Sequence, residues 1–311
     1  MVAVADSLKG RSFTRVADWS AGELMEVLDL ADRLKGLQHR REEHRLLSGR
    51  SLGMIFEKPS TRTRVSFEVG IYQLGGVGLQ LSTGDLQLGR GETIRDTAYV
   101  LSRYLDAIVI RTSYQRDVEE LATHASIPVI NGLTDSSHPC QALADVMTIR
   151  ERFGRLEGLR VAYVGDGNNV CASLLVACAK LGLSFVAATP PGFEPSEEAV
   201  RAARDAGASV VELTDDPRAA ADGADVLYTD VWTSMGQEAE RESRLKAFRG
   251  YQVDAGLVAR ARDDAIVLHC LPAHCGEEIT DDVLYGPRSA VWDEAENRLH
   301  AQKALMALVV R

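Results

Sequence analysis

Phe56-Glu57-Lys58-Pro59-Ser60-Thr61-Arg62-Thr63-Arg64 decides how this chain is read. It follows Leu52-Gly53-Met54-Ile55-Phe56, a short apolar run that reads as a buried strand. It precedes residues 65–74, which read as a helix. Pro59 stops the strand and bars a helix through its own position. Ser60 or Thr61 then stands as N-cap. The product is a strand, a tight turn and a helix start carrying hydroxyls and guanidinium groups. Unpaired backbone N–H groups at a helix start, with the macrodipole behind them, bind phosphate. Arg62 adds a bidentate fork for phosphate oxygens. The Gly-rich loop and Lys of a nucleotide P-loop are missing here, so the ligand is a small phosphorylated molecule. The plainer alternative is a capped helix with two surface arginines.

Two later stretches repeat the pattern of polar residues after a buried strand. Asp106-Ala107-Ile108-Val109-Ile110 reads as a strand with Arg111 at its carboxyl end. Residues 127–130 read as the next strand, and Asn131-Gly132-Leu133-Thr134-Asp135-Ser136-Ser137-His138-Pro139-Cys140-Gln141 opens a helix running through Arg152. His138 and Gln141 are three apart at a helix start and share a face. In open parallel sheets ligands collect at strand carboxyl ends, so these segments are expected to face one crevice. Other helices are expected after the capping box Ser20-Ala21-Gly22-Glu23 and over residues 93–104 and 117–124. The polar, Gly-containing residues 82–92 read as a functional loop.

A second alternating series starts after Gly154-Arg155-Leu156-Glu157-Gly158. Strands are expected over 160–164, 184–188, 209–213, 225–228 and 266–268, with helices over 170–181 and 197–206 and a last helix to Arg311. Such alternation implies a doubly wound parallel sheet. Gly165-Asp166-Gly167-Asn168-Asn169 invites a dinucleotide reading, but the third glycine position holds Val170 and the fingerprint is incomplete. Asp230-Val231-Trp232-Thr233-Ser234-Met235-Gly236 offers a carboxylate, a hydroxyl and backbone amides suited to the α-amino and α-carboxylate groups of an amino acid; the plainer reading is a helix start capped by Ser234. Cys270, at a strand end, is either reactive or merely buried. His269, Cys270, His274 and Cys275 do not have the paired spacing of a zinc site.

The 311 residues suffice for about two domains. A formal net charge of −10 argues against a nucleic-acid partner and requires any anion site to concentrate its arginines locally. No apolar run has the length of a membrane span, and no signal peptide is read at the N-terminus. Five cysteines in a chain of this length suit a reducing cytoplasm.

Ser60-Thr61-Arg62-Thr63, Arg111, His138-Pro139-Cys140-Gln141, Asp230-x-x-x-Ser234-Met235-Gly236, His269-Cys270-Leu271-Pro272 and Glu296-Asn297-Arg298 form an ordered set. Across almost the whole chain this set resembles the ornithine branch of the aspartate/ornithine carbamoyltransferase family. The resemblance implies two doubly wound α/β domains with the active site between them, and a homotrimer or multiple of trimers with sites at subunit interfaces. It implies a carbamoyl phosphate domain over 1–150, joined by the C-terminal helix 294–311, and an ornithine domain over 151–293. It implies carbamoyl transfer to the δ-amine of L-ornithine, a step of arginine metabolism, with no cofactor and no metal.

By the same resemblance, Ser60, Thr61, Arg62 and Thr63 hold phosphate, and Arg111, His138 and Thr63 polarise the carbonyl. Gln141 and the backbone around Cys270 and Leu271 fix the carbamoyl NH₂. Pro139, Cys140, Arg298 and the loop residue Gln87 complete that set. Asn169, Asp230, Ser234 and Met235 hold ornithine, with Arg111, His138, Cys270 and Thr63 as the catalytic group. Val77, Ala172 and Cys275 depart from the family pattern, and none is a motif residue. Rival readings are a carbamoyltransferase for putrescine or aspartate, and a non-catalytic carbamoyl phosphate-binding relative.

Overall fold

The computed structural model describes residues 7–58, 60–82, 91–207, 210–234 and 236–311. Chain contacts divide it into a first unit, Met1–Ala144 with Asn297–Arg311, and a second, Asp145–Glu296.

In the first unit, helix α1 (Ala21–His39) opens on the expected capping box. Ser20 Oγ accepts from the Glu23 N–H, and the Ser20 N–H donates to the Glu23 carboxylate. Strand β1 (Ser51–Phe56) is followed by α2 (Thr61–Gln73), β2 (Val77–Ser82), α3 (Ile94–Leu101), β3 (Ala107–Arg111), α4 (Gln115–His124), β4 (Val129–Leu133) and α5 (Pro139–Phe153). The strands are all parallel, in the order β2-β1-β3-β4. Sequential order reverses at β1, so the carboxyl ends of β1 and β3 lie side by side, with Phe56 in register with Arg111. That is the topological switch point of an open sheet, where loops diverge and leave a crevice. β1 and β3 are buried on both faces because helices cover both; Ile55, Ile108, Ile110 and Val129 pack with Ala98, Val118 and Leu121 on one side.

The second unit contains β5 (Arg160–Val164), α6 (Asn169–Lys180), β6 (Ser184–Ala188), α7 (Glu197–Asp205), β7 (Val211–Thr214), α8 (Pro217–Ala221), β8 (Val226–Thr229), α9 (Arg241–Ala247), α10 (Ala255–Val258), β9 (Ile266–His269) and α11 (Asp281–Leu284). The parallel order is β7-β6-β5-β8-β9, with its switch point between β5 and β8. Strand alternation sorts the core. Ala162, Val164, Val186 and Leu227 face the layer of Trp232, Phe248 and Tyr251. The opposite face carries Tyr163, stacked 5.6 Å from Tyr228 and 6.3 Å from Phe185. The final helix α12 (Val291–Val309) belongs to the first unit from Asn297 onward. There Lys35 Nζ donates to Asn297 Oδ1 at 2.8 Å, and Lys9 Nζ donates to the Ala307 and Val310 carbonyls at the helix end.

The doubly wound class expected from the alternation is the observed one. α2 starts at Thr61 behind Ser60, one of the two expected N-caps, which puts Arg62 and Thr63 in the first turn. Some strand boundaries differ. β4 and β7 are displaced toward their carboxyl ends, to Val129–Leu133 and Val211–Thr214. The glycines of the Gly165-Asp166-Gly167 turn have a packing reason rather than a nucleotide. A Cβ on Gly167 would lie 2.3 Å from the Pro195 nitrogen, and Gly165 has φ +139°.

Candidate active site

The first unit gathers the end of β1, the end of β3, the start of α5 and one turn of α12. Ser60 has an extended backbone, and its Oγ accepts from the Thr63 N–H at 3.3 Å, which makes it the N-cap. Arg111 Nη1 donates to Ser60 Oγ at 3.0 Å and lies 3.4 Å from Thr63 Oγ1. Arg298 Nη2 donates to the same Thr63 Oγ1 at 3.1 Å, and its Nη1 donates to Gln141 Oε1 at 2.5 Å. Thr63, Arg111, His138, Gln141 and Arg298 are all buried. Buried guanidinium groups gathered around hydroxyls form a socket for an anion. His138 immediately precedes α5, and its carbonyl accepts from the Gln141 N–H. Burial first, and then the charges of Arg298, Arg111 and Arg62, hold the His138 imidazole well below its ordinary pKa. It is neutral near pH 7 and acts as a hydrogen-bonding group rather than a cation.

Other expected residues of this set are placed differently. Arg62 is half-buried and close enough to act on His138, while Thr61 is exposed. Pro139 is the first residue of α5. Cys140 is fully buried, and its thiol donates to the Asn131 carbonyl at 3.3 Å, so its side chain faces β4 and not the cluster. Burial pushes that thiol up to about 12, which leaves it inert. Gln87 lies outside the described residues.

The second unit gathers the ends of β5, β8 and β9. Asn168 caps α6, its Oδ1 accepting from Val170 and Cys171, while its Nδ2 donates to Asp230 Oδ2 at 2.7 Å. The expected ligand Asn169 is the next residue, the first of α6, and half-buried. Cys270, just beyond β9, aims Sγ at Asp230 Oδ1 at 3.0 Å. Burial and the Asp230 carboxylate push the Cys270 thiol well above its ordinary pKa. It is a neutral donor, not a thiolate nucleophile. Leu271 takes φ +59°, with its N–H on His269 Nδ1 at 2.9 Å.

Ser234 is half-buried, its N–H donating to Gln237 Oε1 at 3.0 Å; Met235 lies outside the described residues. The root of that segment is held by Arg244, which donates to the Trp232 carbonyl at 2.9 Å and to Asp166 Oδ2 at 2.7 Å. Burial outweighs the Arg244 charge and pushes the Asp166 carboxyl up to about 6. Asp230, His269 and Cys270 have possible ligand atoms within 4.8 Å of one another. Both ring nitrogens of His269 are engaged, by Leu271 and Glu278, and the thiol is held protonated, so these donors form a hydrogen-bond network rather than a metal set.

Sequence reasoning missed Asn168, Asp166, Arg244, Glu278 and Glu294. The first two stood in the quoted glycine turn. The other three carried no local signal.

The carbamoyl-P binding domain model of aspartate/ornithine carbamoyltransferase matches residues 11–151, and the Asp/Orn binding domain model matches 157–309. The ornithine carbamoyltransferase of Pyrococcus horikoshii is 57% identical over 308 residues, covering 98% of this chain and 97% of its own. That of Symbiobacterium thermophilum is 57% identical over 307 residues, covering 98% and 99%. The solved ornithine carbamoyltransferase from Pyrococcus furiosus superposes with a TM-score of 0.94 at 56% identity, covering 99% of both chains. With both domain models matched in order along a chain of this likeness, the protein belongs to the aspartate/ornithine carbamoyltransferase family.

Proposed function

We propose that this protein is an ornithine carbamoyltransferase whose first unit binds carbamoyl phosphate and whose second binds L-ornithine. The observation that carries the first half is the Thr63 hydroxyl, capped into a helix start and approached by both Arg111 and Arg298. In this reading the phosphate sits on Ser60, Thr61, Arg62, Thr63 and the N–H groups opening α2. Arg111, neutral His138 and Thr63 face the carbonyl oxygen as its oxyanion develops, and Gln141 and the Cys270–Leu271 backbone take the carbamoyl NH₂. Arg298 adds charge and holds Gln141. Asp230, Ser234 and Met235 take the ornithine α-groups, and Asn168, through its bond to Asp230, joins Asn169 beside them.

The δ-amine attacks the carbamoyl carbon, a C–N bond forms, and the carbon–oxygen bond to phosphate breaks. The amine's surplus proton leaves with or after phosphate. An alkylammonium has a pKa of about 10 in water and must be neutral to attack. The rate therefore rises from pH 7 to 9. The test is carbamoyl transfer by the purified chain with ornithine, putrescine, aspartate and N-acetylornithine offered separately. Citrulline from ornithine alone, faster at pH 9 than at pH 7, is the expected result. A preference for another acceptor would retain the carbamoyl phosphate half and discard the assignment of Asp230 and Ser234.

We also read the assembly as a trimer, in the cytoplasm. No helix among the described residues is long and apolar enough to cross a membrane, and the five cysteines form no disulfide. Strand β2 is a sheet edge with Val77 and Leu79 half exposed, beside Val65, Val69 and Tyr72 of α2. A cleft of about 300 Å³ between them is lined by Glu68, Val69, Tyr72, Gly76, Val77 and Gly78. An apolar open edge of this kind is normally covered. Light scattering is expected to give a mass at a multiple of three chains, and a monomer at micromolar concentration would sink this part.

A further inference from the structure

We propose that Glu278 is a positioning residue for the Cys270–Leu271 loop, acting through His269. The inference rests on the role given to that loop in the proposed function.

His269 ends β9 and is 1% exposed. Each of its polar groups that faces the interior has a partner. Its N–H donates to Glu294 Oε2 at 2.9 Å. Its Nδ1 is 2.9 Å from the Leu271 nitrogen, and its Nε2 is 3.1 Å from Glu278 Oε1. A backbone N–H can only donate, so Nδ1 must carry the lone pair and the ring proton sits on Nε2. That proton points at Glu278. Had the tautomer been reversed, two donors would meet at Nδ1 and two acceptors at Nε2. Glu278 therefore fixes both the tautomer and the ring plane.

Glu278 is itself fully buried, and the same Oε1 accepts from the His274 N–H at 2.5 Å. One oxygen thus holds both ends of residues 269–274. Inside this clasp Leu271 takes φ +59°, a region that a leucine occupies only when its surroundings enforce it. Cys270 lies between His269 and Leu271, with its thiol on Asp230. Releasing Glu278 frees the imidazole to turn, removes the acceptor for the Leu271 N–H and lets the Cys270 and Leu271 carbonyls move. A displacement of 1 Å at such a group costs about 10² in rate.

The test uses the full chain, with kcat and both KM values measured for Glu278→Ala, Glu278→Gln and Cys270→Ala. Glu278→Ala is expected to lower kcat by about 10- to 100-fold, with both KM values within about threefold of wild type. Glu278→Gln keeps an oxygen that accepts from Nε2–H and from His274, and is expected to return kcat to within about fivefold. A purely structural role would lower the melting temperature and leave kcat per folded molecule unchanged. If Glu278→Ala does not fold, His269→Asn replaces it. Its Oδ1 still accepts from Leu271 but it cannot reach Glu278, and a tenfold fall in kcat is expected. Wild-type kcat in Glu278→Ala or His269→Asn, with Cys270→Ala impaired, overturns the positioning role alone. Wild-type kcat in all of them overturns the reading of the loop itself.

Discussion

The two units are built on the same plan and charged in opposite ways. Each has a parallel sheet whose strand order reverses once, and in each the polar cluster sits at the carboxyl ends beside that reversal. In the first unit the cluster's charges are guanidinium, from Arg62, Arg111 and Arg298. In the second, carboxyl groups predominate: Asp230 and Glu278, Asp166 paired with the Arg244 guanidinium, and Glu294, whose carboxyl is driven well up toward its neutral form by burial and by Asp145. Burial is common to both, and the titrating groups diverge. Burial, the largest cause throughout, drives the His138 imidazole down and the Cys270, Tyr163 and Tyr228 groups up; neighbouring cations add to the first shift and neighbouring anions to the others. The topology therefore supplies a place for a ligand, and the side chains set its sign. A cationic cluster suits the anion carbamoyl phosphate. An anionic one suits the ammonium groups of a diamino acid and holds its own thiol protonated. In a chain with net charge −10, the first cluster is the local exception.

The largest effect is expected from breaking the cationic side. Arg62→Ala is expected to abolish measurable binding of carbamoyl phosphate in equilibrium titration, with the melting curve unchanged, because Arg62 is half-buried and extends from a helix start. Arg111→Ala removes a donor to Ser60 and Thr63 and is expected to lower kcat by about 10²–10³. It also removes one of the charges on His138, so the imidazole pKa, followed by NMR, is expected to rise. Undiminished carbamoyl phosphate binding by Arg62→Ala would end the assignment of the first cluster to phosphate.

The cationic side was also the more legible from sequence, and the reason is local. Ser60, Arg111 and His138 each follow a buried apolar run, so strand ends could be read from hydropathy alone. Thr63, Gln141 and Arg62 then followed from helix spacing. The anionic side depends on long separations. Glu294 reaches His269 across 25 residues, and Asn168 reaches Asp230 across 62. A buried glutamate in sequence looks like a solvated one, so Glu278 and Glu294 gave no signal. Asn168 and Asn169 differ by one position. Only the extended backbone of the cap sends the Asn168 side chain to Asp230. Cys140 shows the converse. Its neighbours His138 and Gln141 serve the cluster, but its own side chain turns to the Asn131 carbonyl. Strand β2 escaped because Gly78 and Gln80 interrupt its apolar pattern.

A smaller effect sharpens the comparison from the anionic side. If carboxylate charge helps to keep Cys270 protonated, then removing it must make the thiol more acidic. Burial is the larger cause and persists in the variant; Asp230 supplies the next largest, by charge and by hydrogen bond. In Asp230→Asn both of those contributions fall, so the Cys270 pKa moves down. Alkylation needs the thiolate, and below the thiol pKa its rate rises tenfold per pH unit. The lowered pKa therefore speeds alkylation at a fixed pH of 8, by roughly three- to tenfold. The experiment is iodoacetamide labelling followed by mass spectrometry in a Cys275→Ser background, because Cys275 is exposed and would otherwise react first. The logarithm of the rate should keep a slope of one against pH from 7 to 9 in both proteins, with the variant displaced upward. Coincident lines would mean that the low dielectric alone holds the proton on Cys270. The contrast with His138, which rests on charge as well as burial, would then be lost on the second unit's side.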